Sequence, residues 1–313
     1  MMELGRANLE EFGSLLITLG QQDRNLLVVT SDSRGSGKLG PFGKALPDQI
    51  IEVGIAEQNL VGVSAGLAAA GKKVFAVSPA CFLTTRSLEQ IKNDVAYSDQ
   101  PVKLIGISAG VSYGALGTTH HSLHDYAVLR AINNIDVVAP ADNFETREAI
   151  KTALEHTRPI YIRFGKRARP HLHQPDASFE VGKAITVMDG DDVTIIATGE
   201  PLLEAVQAAQ KLAKEGISCR VISMHTVKPL DNAVVLQAAR ETRAIITVEE
   251  HSIFGGLGSA CAELLMQNRL SLPFKIIGIP DEYTVTGSQG EIFKHYGITP
   301  DNLAEVAKGL LAD

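Results

Sequence analysis

The 313-residue sequence predicts an α/β fold with two doubly wound domains, each built on a mainly parallel sheet. Three observations carry this prediction. Strand-like apolar runs alternate with helical periodicity along residues 7–163, and the alternation resumes at residue 193. The length suits two domains of ordinary size, and a hydrophobic content of 45% can fill two cores. We therefore assign residues 1–178 to the first domain and residues 179–313 to a smaller second domain.

The elements of the first domain follow from the period of the apolar residues. Short runs rich in β-branched residues predict strands, and apolar residues three or four apart predict helices. The predicted strands are 26–30, 49–53, 74–77, 102–107, 136–138 and 160–163. The predicted helices are 9–21, 58–70, 83–97, 125–131 and 144–155. Strands that alternate with helices in this way are typical of a parallel sheet covered on both faces.

The stretch 165–178 separates the two domains. It is basic, contains Pro170 and Pro175, and lacks apolar periodicity, so it is interpreted as a linker. The second domain repeats the alternation. Its strands are predicted at 193–197, 218–223, 244–248 and 274–278, and its helices at 202–214, 232–239, 257–268 and 301–311.

Composition argues against several classes of partner. The net charge is -7 and the basic residues are scattered, so the chain has no electrostatic footprint for nucleic acid or an anionic membrane. No apolar run approaches the roughly 20 residues of a membrane span, and the first five residues lack the apolar core of a signal peptide. We expect a cytoplasmic protein. The three cysteines lie far apart in apolar surroundings, which predicts reduced core thiols and no metal site made of cysteine.

Glu57 lies in the run VGIAEQN at residues 53–59, between a predicted strand and a helix of small residues. An acid in the first turn of a helix often serves only as a partner of the helix dipole. The same position, beside the edge of a sheet, also suits a group that does chemistry. Glu57 alone leaves both interpretations open.

A Gly/Ser/Thr-rich loop at residues 106–125 follows a strand, which is where open parallel sheets place ligands. It contains three histidines within five residues. A metal site built on His120 and His124 lacks the further ligands that zinc needs, so we predict no metal site. His120 can instead steady an oxyanion or move a proton, and His124 is interpreted as a residue at a helix start.

Several motifs in this order resemble the transketolases and their thiamine diphosphate relatives. They are the VGIAEQN run, the GTTH segment at 117–120, the PADN segment at 140–143, TGE at 198–200 and EEHSIFGGLG at 249–258. The resemblance implies transfer of a two-carbon glycolaldehyde unit from a ketose to an aldose. It also implies that Glu57 hydrogen-bonds the aminopyrimidine ring of the cofactor and that His120 contacts substrate oxygens.

The resemblance assigns further site residues. Pro79 falls where the family has an aromatic ring against the aminopyrimidine, and Phe82 keeps the neighbouring aromatic position. Substrate contacts are implied for four other residues, which are Ser36, Ser108, Arg163 and Lys166. One family arginine falls on Leu9, with Arg6 close enough to replace it if the register slips.

The diphosphate-binding half of a thiamine enzyme is missing from the sequence. The family carries a "G-D-G" motif followed by an asparagine, and no such pair is found here. The chain therefore resembles the C-terminal subunit of a split transketolase. We expect an N-terminal partner subunit that holds the diphosphate and Mg²⁺ or another divalent ion, in an α2β2 assembly.

Departures from the family pattern keep alternatives open. Ser108 replaces a histidine, Leu116 an aspartate and Lys166 an arginine, so a non-standard sugar substrate is expected. The alternative enzymes are the beta subunit of a 2-oxo acid dehydrogenase and a relative of deoxyxylulose phosphate synthase, which shares the alanine at Ala115. The non-enzyme alternative is a regulatory homologue.

Overall fold

The computed structural model describes residues 3–174 and 176–312. Pro175 of the predicted linker and the first two residues lie outside the described residues, as does Asp313. In chain order the strands are β1 Leu4–Ala7, β2 Leu26–Thr30, β3 Ile50–Glu52, β4 Lys73–Pro79, β5 Lys103–Ile107, β6 Asp136–Val138, β7 Ile160–Phe164, β8 Ala168–Pro170, β9 Ile185–Met188, β10 Val193–Ala197, β11 Cys219–Ser223, β12 Thr226–Lys228, β13 Ala244–Ser252 and β14 Phe274–Ile279. The α-helices are α1 Asn8–Gln22, α2 Gly40–Ala45, α3 Glu57–Ala69, α4 Ala80–Arg86, α5 Leu88–Gln90, α6 Asp125–Arg130, α7 Asn143–Glu155, α8 Leu202–Lys214, α9 Asn232–Glu241, α10 Leu257–Gln267, α11 Gln289–His295 and α12 Pro300–Ala312.

The first sheet has seven strands in the order β12-β6-β7-β5-β4-β2-β3. Strands β2 to β7 are parallel, and β12 pairs antiparallel with β6. Side chains alternate between the faces: Val74 and Ala76 of β4 pack under α3, whereas Phe75 and Val77 pack under α1. Helices cover both faces, so the central strands of the sheet are buried on both sides. This agrees with the continuous apolar runs of these strands in the sequence.

The second sheet has five strands in the order β14-β13-β10-β11-β9. In the described part of this sheet, β14, β13, β10 and β11 run parallel, and only the edge strand β9 is antiparallel to its neighbour β11. Helices α8 and α12 cover one face, and α9 and α10 cover the other. The structure therefore confirms the predicted fold class of two α/β domains with mainly parallel sheets.

The segment predicted as a single helix over residues 83–97 is interrupted in the structure. It divides into α4, the single turn α5 and a π-helical stretch, Ile91–Tyr97. The hydroxyls of Thr84 and Ser87 donate to the carbonyls four residues earlier, Ala80 and Leu83. Such bonds compete with the backbone ladder and bend helices, which explains the break.

Two short strands connect parts of the chain that the sequence analysis kept separate. Strand β12 lies beyond residue 178 yet extends the first sheet, and β8 lies within the predicted linker and pairs with β1. Neither β8, with the sequence ARP, nor β12, with the sequence TVK, contains an apolar run that a sequence pattern would reveal. The division of domains at residue 178 stays a prediction.

The three cysteines are free and buried. Burial raises the pKa of the Cys81 and Cys219 thiols to about 12, so both are protonated near neutral pH. None of the helices in residues 3–174 and 176–312 combines the length and the apolar character that crossing a membrane requires.

Candidate active site

A cleft of about 410 Å³ opens at the carboxyl ends of β2, β4 and β5. Open parallel sheets bind ligands at this edge because the strand ends and the following loops meet there. Six of the residues predicted from the sequence to act on cofactor or substrate, or to set specificity, line it together. They are Ser36, Glu57, Pro79, Phe82, Leu116 and His120.

Glu57 is the first residue of α3 and is 4% exposed. Arg86 donates from Nη1 to both of its carboxylate oxygens, at 3.2 Å to Oε1 and 3.1 Å to Oε2. The same guanidinium lies over the ring of Phe82, with Cζ 4.2 Å from the ring centroid. Arg86 therefore covers both the carboxylate and the aromatic ring of the cleft.

His120 is held between two aromatic rings. Phe82 and Tyr113 meet it edge-on, with ring centroids 5.2 Å and 5.4 Å away. The Thr119 hydroxyl lies 2.9 Å from Nδ1 of His120, which leaves Nε2 without a hydrogen-bond partner among the described residues. The imidazole is therefore oriented in the cleft with one nitrogen available to a ligand.

Tyr113 and Arg86 were not predicted from the sequence. Tyr113 is the one tyrosine, phenylalanine or tryptophan in the Gly/Ser/Thr-rich loop at 106–125. A single large ring among small polar residues was the sequence signal that could have identified it as a site residue. Arg86 ends a short helix, and nothing in its local sequence indicates that it reaches Glu57, twenty-nine residues away. Burial raises the pKa of the Tyr113 hydroxyl, which therefore stays protonated and able to donate.

The cleft fits a flat heteroaromatic ring. Ile55, Pro79 and Phe82 supply an apolar wall, and the buried Glu57 carboxylate faces the same space. A ring nitrogen directed at Glu57 would form a hydrogen bond with its carboxyl group. Such a bond is strong in surroundings of low polarity. The aminopyrimidine of thiamine diphosphate has this chemistry.

A second, smaller cavity of about 240 Å³ adjoins the cleft, since Ser36 lines both. Lys38 and Lys166 line it with Ala7, Leu9 and Gly35. Lys166 Nζ also lies 4.0 Å from the centroid of the Tyr113 ring. Burial and the nearby charge of Lys38 lower the pKa of Lys166. The two lysines thus place positive charge at the far end of the cleft.

Arg163, predicted from the sequence as a substrate contact, does not line the cleft. Its Nη1 donates to Asp125 at 2.9 Å and 3.1 Å, and its Nη2 donates to the carbonyl of Glu250 at 2.8 Å. It is 5% exposed and stacks over Tyr126. Arg163 joins the two halves of the chain, so the geometry does not support a substrate contact. The sequence could not reveal this, because its partners lie 38 and 87 residues away.

Ser108 also lies outside the lining of the cleft. It is fully buried at the end of β5, its φ of 54° lies in the left-handed region, and its hydroxyl has no hydrogen-bond partner among the described residues. Such a backbone conformation is costly for a residue other than glycine. Ser108 shapes the start of the loop rather than a cleft wall.

The three loop histidines point to different partners. His121 is buried between the Thr284 hydroxyl, 2.6 Å away, and the Gly114 carbonyl, 3.0 Å away. His124 precedes α6, as predicted, and its Nε2 lies 3.2 Å from the Thr84 hydroxyl. Only His120 of these three lines the cleft in the described structure.

The second half of the chain holds the loop that carries His120. Glu250 accepts a hydrogen bond from the Val111 backbone at 2.8 Å, and Thr118 and His121 both bond Thr284. Gly110 packs so tightly on Glu250 that an added Cβ would lie 2.3 Å from its Cδ. The C-terminal half therefore positions a wall of the cleft, although it contributes no residue to the cleft lining in the described chain.

Comparison with known proteins matches two family models in sequence. "Transketolase, pyrimidine binding domain" covers residues 6–170, and "Transketolase, C-terminal domain" covers residues 182–303. The chain is 50% identical over 299 residues to an apulose-4-phosphate transketolase subunit of Phocaeicola vulgatus, and the match covers 95% of each protein.

It is also 35% identical over 298 residues to a 6-deoxy-6-sulfo-D-fructose transketolase subunit of a Clostridium species, covering 95% of this chain and 92% of that one. Among solved structures, a split-gene transketolase described as an inactive beta4 tetramer superimposes with a TM-score of 0.89. That structure is 36% identical, and the match covers 98% of this chain and 99% of the other.

Proposed function

Because this chain belongs to the transketolase family, we propose that it is the C-terminal subunit of a split, thiamine diphosphate-dependent transketolase. The reaction moves a two-carbon glycolaldehyde unit from a ketose to an aldose. One observation carries the proposal. Glu57, in the first turn of α3, is buried, and its carboxylate faces the apolar wall of the cleft.

Glu57, Pro79 and Phe82 would hold the aminopyrimidine of the cofactor. When bound, thiamine diphosphate would supply a carbon nucleophile for the ketose carbonyl. Glu57 would share a proton with the ring nitrogen, and its burial would keep water from competing for that hydrogen bond. Arg86 has to release at least part of its contact with Glu57 and Phe82 for the ring to enter.

His120 would contact the oxygens of the reacting carbons. Thr119 fixes one imidazole nitrogen, so the other can donate to an oxyanion or move a proton. Ser36 and Lys166 line the adjoining cavity and would contact the distal end of the substrate. A lysine there keeps the positive charge of the family arginine without its paired donors.

The substrate is proposed to be a non-standard ketose or aldose with an anionic end. Leu116 lines the cleft where the family pattern has an aspartate, and leucine cannot accept a hydrogen bond from a sugar hydroxyl. Apulose 4-phosphate and 6-deoxy-6-sulfofructose, named for the two relatives, are sugars of this description and are the first candidates.

The partner is proposed to be an N-terminal subunit with the diphosphate-binding domain, which would supply the divalent metal site. An α2β2 assembly and a cytoplasmic location stay predictions. The cofactor would then lie between the two subunits.

The test is reconstitution with the N-terminal subunit. We expect the mixture to bind thiamine diphosphate in a magnesium-dependent manner and to transfer the two-carbon unit, while the pure chain binds weakly and shows no turnover. Tight, magnesium-dependent binding by the pure chain, measured calorimetrically, would contradict the split architecture. Release of carbon dioxide from pyruvate would favour the 2-oxo acid or deoxyxylulose alternatives, and a mixture that binds no cofactor would favour the regulatory one.

A further inference from the structure

The cavity beside Ser36 has a second lysine that the sequence resemblance does not assign. The family arginine expected near the start of the domain falls on Leu9, whose apolar side chain lines this cavity. Arg6, the other candidate, lines a different cavity with Arg147 and lies 4.0 Å from Glu11. Neither residue therefore supplies a cation here, whereas Lys38 does.

The backbone around Lys38 is held in an unusual conformation. Its φ of 57° lies in the left-handed region, which is costly for a lysine. Helix α1 packs against it at Gly13, where an added Cβ would lie 2.8 Å from the Lys38 carbonyl oxygen. A hydrogen bond from the Lys38 N–H to the Gly35 carbonyl, at 3.2 Å, closes the turn. The fold thus maintains a strained turn that brings Lys38 to the cavity.

The charges in the cavity are largely uncompensated. Among the described residues no carboxylate pairs with Lys166, and burial and the charge of Lys38 lower its pKa. Lys38 pairs with Glu10 at 3.2 Å, but both side chains are about half exposed, at 52% and 49%. An ion pair this exposed contributes little and can exchange partners readily. Two lysines and the Ser36 hydroxyl are therefore available to an entering anion.

We propose that Lys38 is a specificity-determining residue that, with Lys166 and Ser36, binds the terminal phosphate of the sugar substrate and replaces the arginine absent at Leu9. This inference rests on the proposed function and deepens it. A phosphate monoester is dianionic near neutral pH, because its second pKa is about 6, so it can satisfy both lysines. A sulfonate carries a single charge and leaves one lysine without a partner.

Binding of inorganic phosphate to the full chain tests the cavity without catalysis. The NMR signal of the Ser36 backbone should shift in a saturable manner with phosphate, and less with methanesulfonate. Lys38→Met should weaken phosphate binding about tenfold, the lower range for a hydrogen bond to a charged group. Glu10→Gln, which frees Lys38, should strengthen it about twofold. Lys44→Met is the matched control, because Lys44 is an exposed neighbouring lysine outside the cavity.

The reconstituted complex gives the second readout. Lys38→Met should lower kcat/KM about tenfold for a phosphate-terminated ketose and leave an unphosphorylated ketose unchanged, and Lys38→Arg should restore most of the loss. Phosphate binding that is unchanged in Lys38→Met, or equal to that of methanesulfonate, would overturn this inference. A complex that transfers no two-carbon unit while phosphate binding persists would overturn the proposed function and leave the anion site standing.

Discussion

Arg86 binds the carboxylate of Glu57 through a single guanidinium nitrogen, 3.2 Å and 3.1 Å from its two oxygens. The same guanidinium stacks on Phe82, so one cation covers both of the groups proposed for the cofactor ring. The Arg86 side chain is 47% exposed, and a pair screened to this degree is worth at most about 1 kcal/mol. A cofactor ring can therefore displace Arg86 at small cost.

Glu57→Gln should separate catalysis from stability. We expect turnover of the reconstituted complex to fall ~100-fold or more, because glutamine cannot share the ring-nitrogen proton. The free energy of unfolding should change by less than about 1 kcal/mol, since the helix dipole and the ion pair with the half-exposed Arg86 contribute little. Steady-state kinetics and urea unfolding check both quantities, with Glu89→Gln on an exposed helix position as the control. A fully active Glu57→Gln complex would remove the catalytic role.

Arg163→Met should mainly destabilise the fold. The substitution leaves Asp125 buried without its cation, and losing one partner of a buried pair costs about 3–5 kcal/mol. Urea unfolding of the pure chain measures the loss. If stability is unchanged and KM for a phosphorylated sugar rises in the complex, the substrate contact first predicted from the sequence is correct after all.

His173, which lies in the predicted linker, pairs with Asp142 and Glu145 of the first domain and gives the fold a pH dependence. Burial opposes the charge on His173, but Glu145, 3.0 Å away, and Asp142, 2.9 Å away, outweigh it and raise the pKa to about 10. Because the folded pKa exceeds the unfolded value near 6.5, the stabilisation is complete below pH 6.5 and is lost as the pH rises towards 10.

Unfolding free energies measured from pH 6 to 10 check this prediction. The wild-type chain should lose up to about 1.4 kcal/mol per pH unit across the window from 6.5 to 10, and His173→Gln should lack this slope. His171→Gln, two residues away, is the control. Equal slopes in wild type and His173→Gln would show that His173 is not protonated in the folded chain.

Leu116→Asp should shift substrate preference. Leu116 is 54% exposed in the cleft, so an aspartate there can be accommodated without a buried charge and can accept a hydrogen bond from a sugar hydroxyl. We compare kcat/KM for the standard pair, xylulose 5-phosphate as donor and ribose 5-phosphate as acceptor, with kcat/KM for modified sugars. The first value divided by the second should rise about tenfold or more in Leu116→Asp. Leu116→Asn tests whether the charge matters. If the wild-type complex already prefers the standard pair, the specificity argument fails.

The alternation of strands and helices, and with it the parallel sheets, could be predicted from the amino-acid sequence because apolar periodicity is a local property. The sequence also predicted that Glu57 begins a helix and that His120 lies in a loop after a strand. These positions come together because parallel strands all end at the same edge of a sheet.

Which side chains face the cleft depends on long-range contacts that the sequence pattern does not reveal. Arg163 lies near the carboxyl end of β7, yet its side chain pairs with Asp125 and is buried. Arg86 and Lys38 instead reach the cleft and its side cavity from separate elements. The reason is physical: a charged side chain takes the partner that compensates its desolvation best, and that partner can lie anywhere in the chain. The local apolar pattern therefore predicts where strands and helices lie. Ion pairs between residues far apart in the chain determine which charged side chains remain available to a ligand.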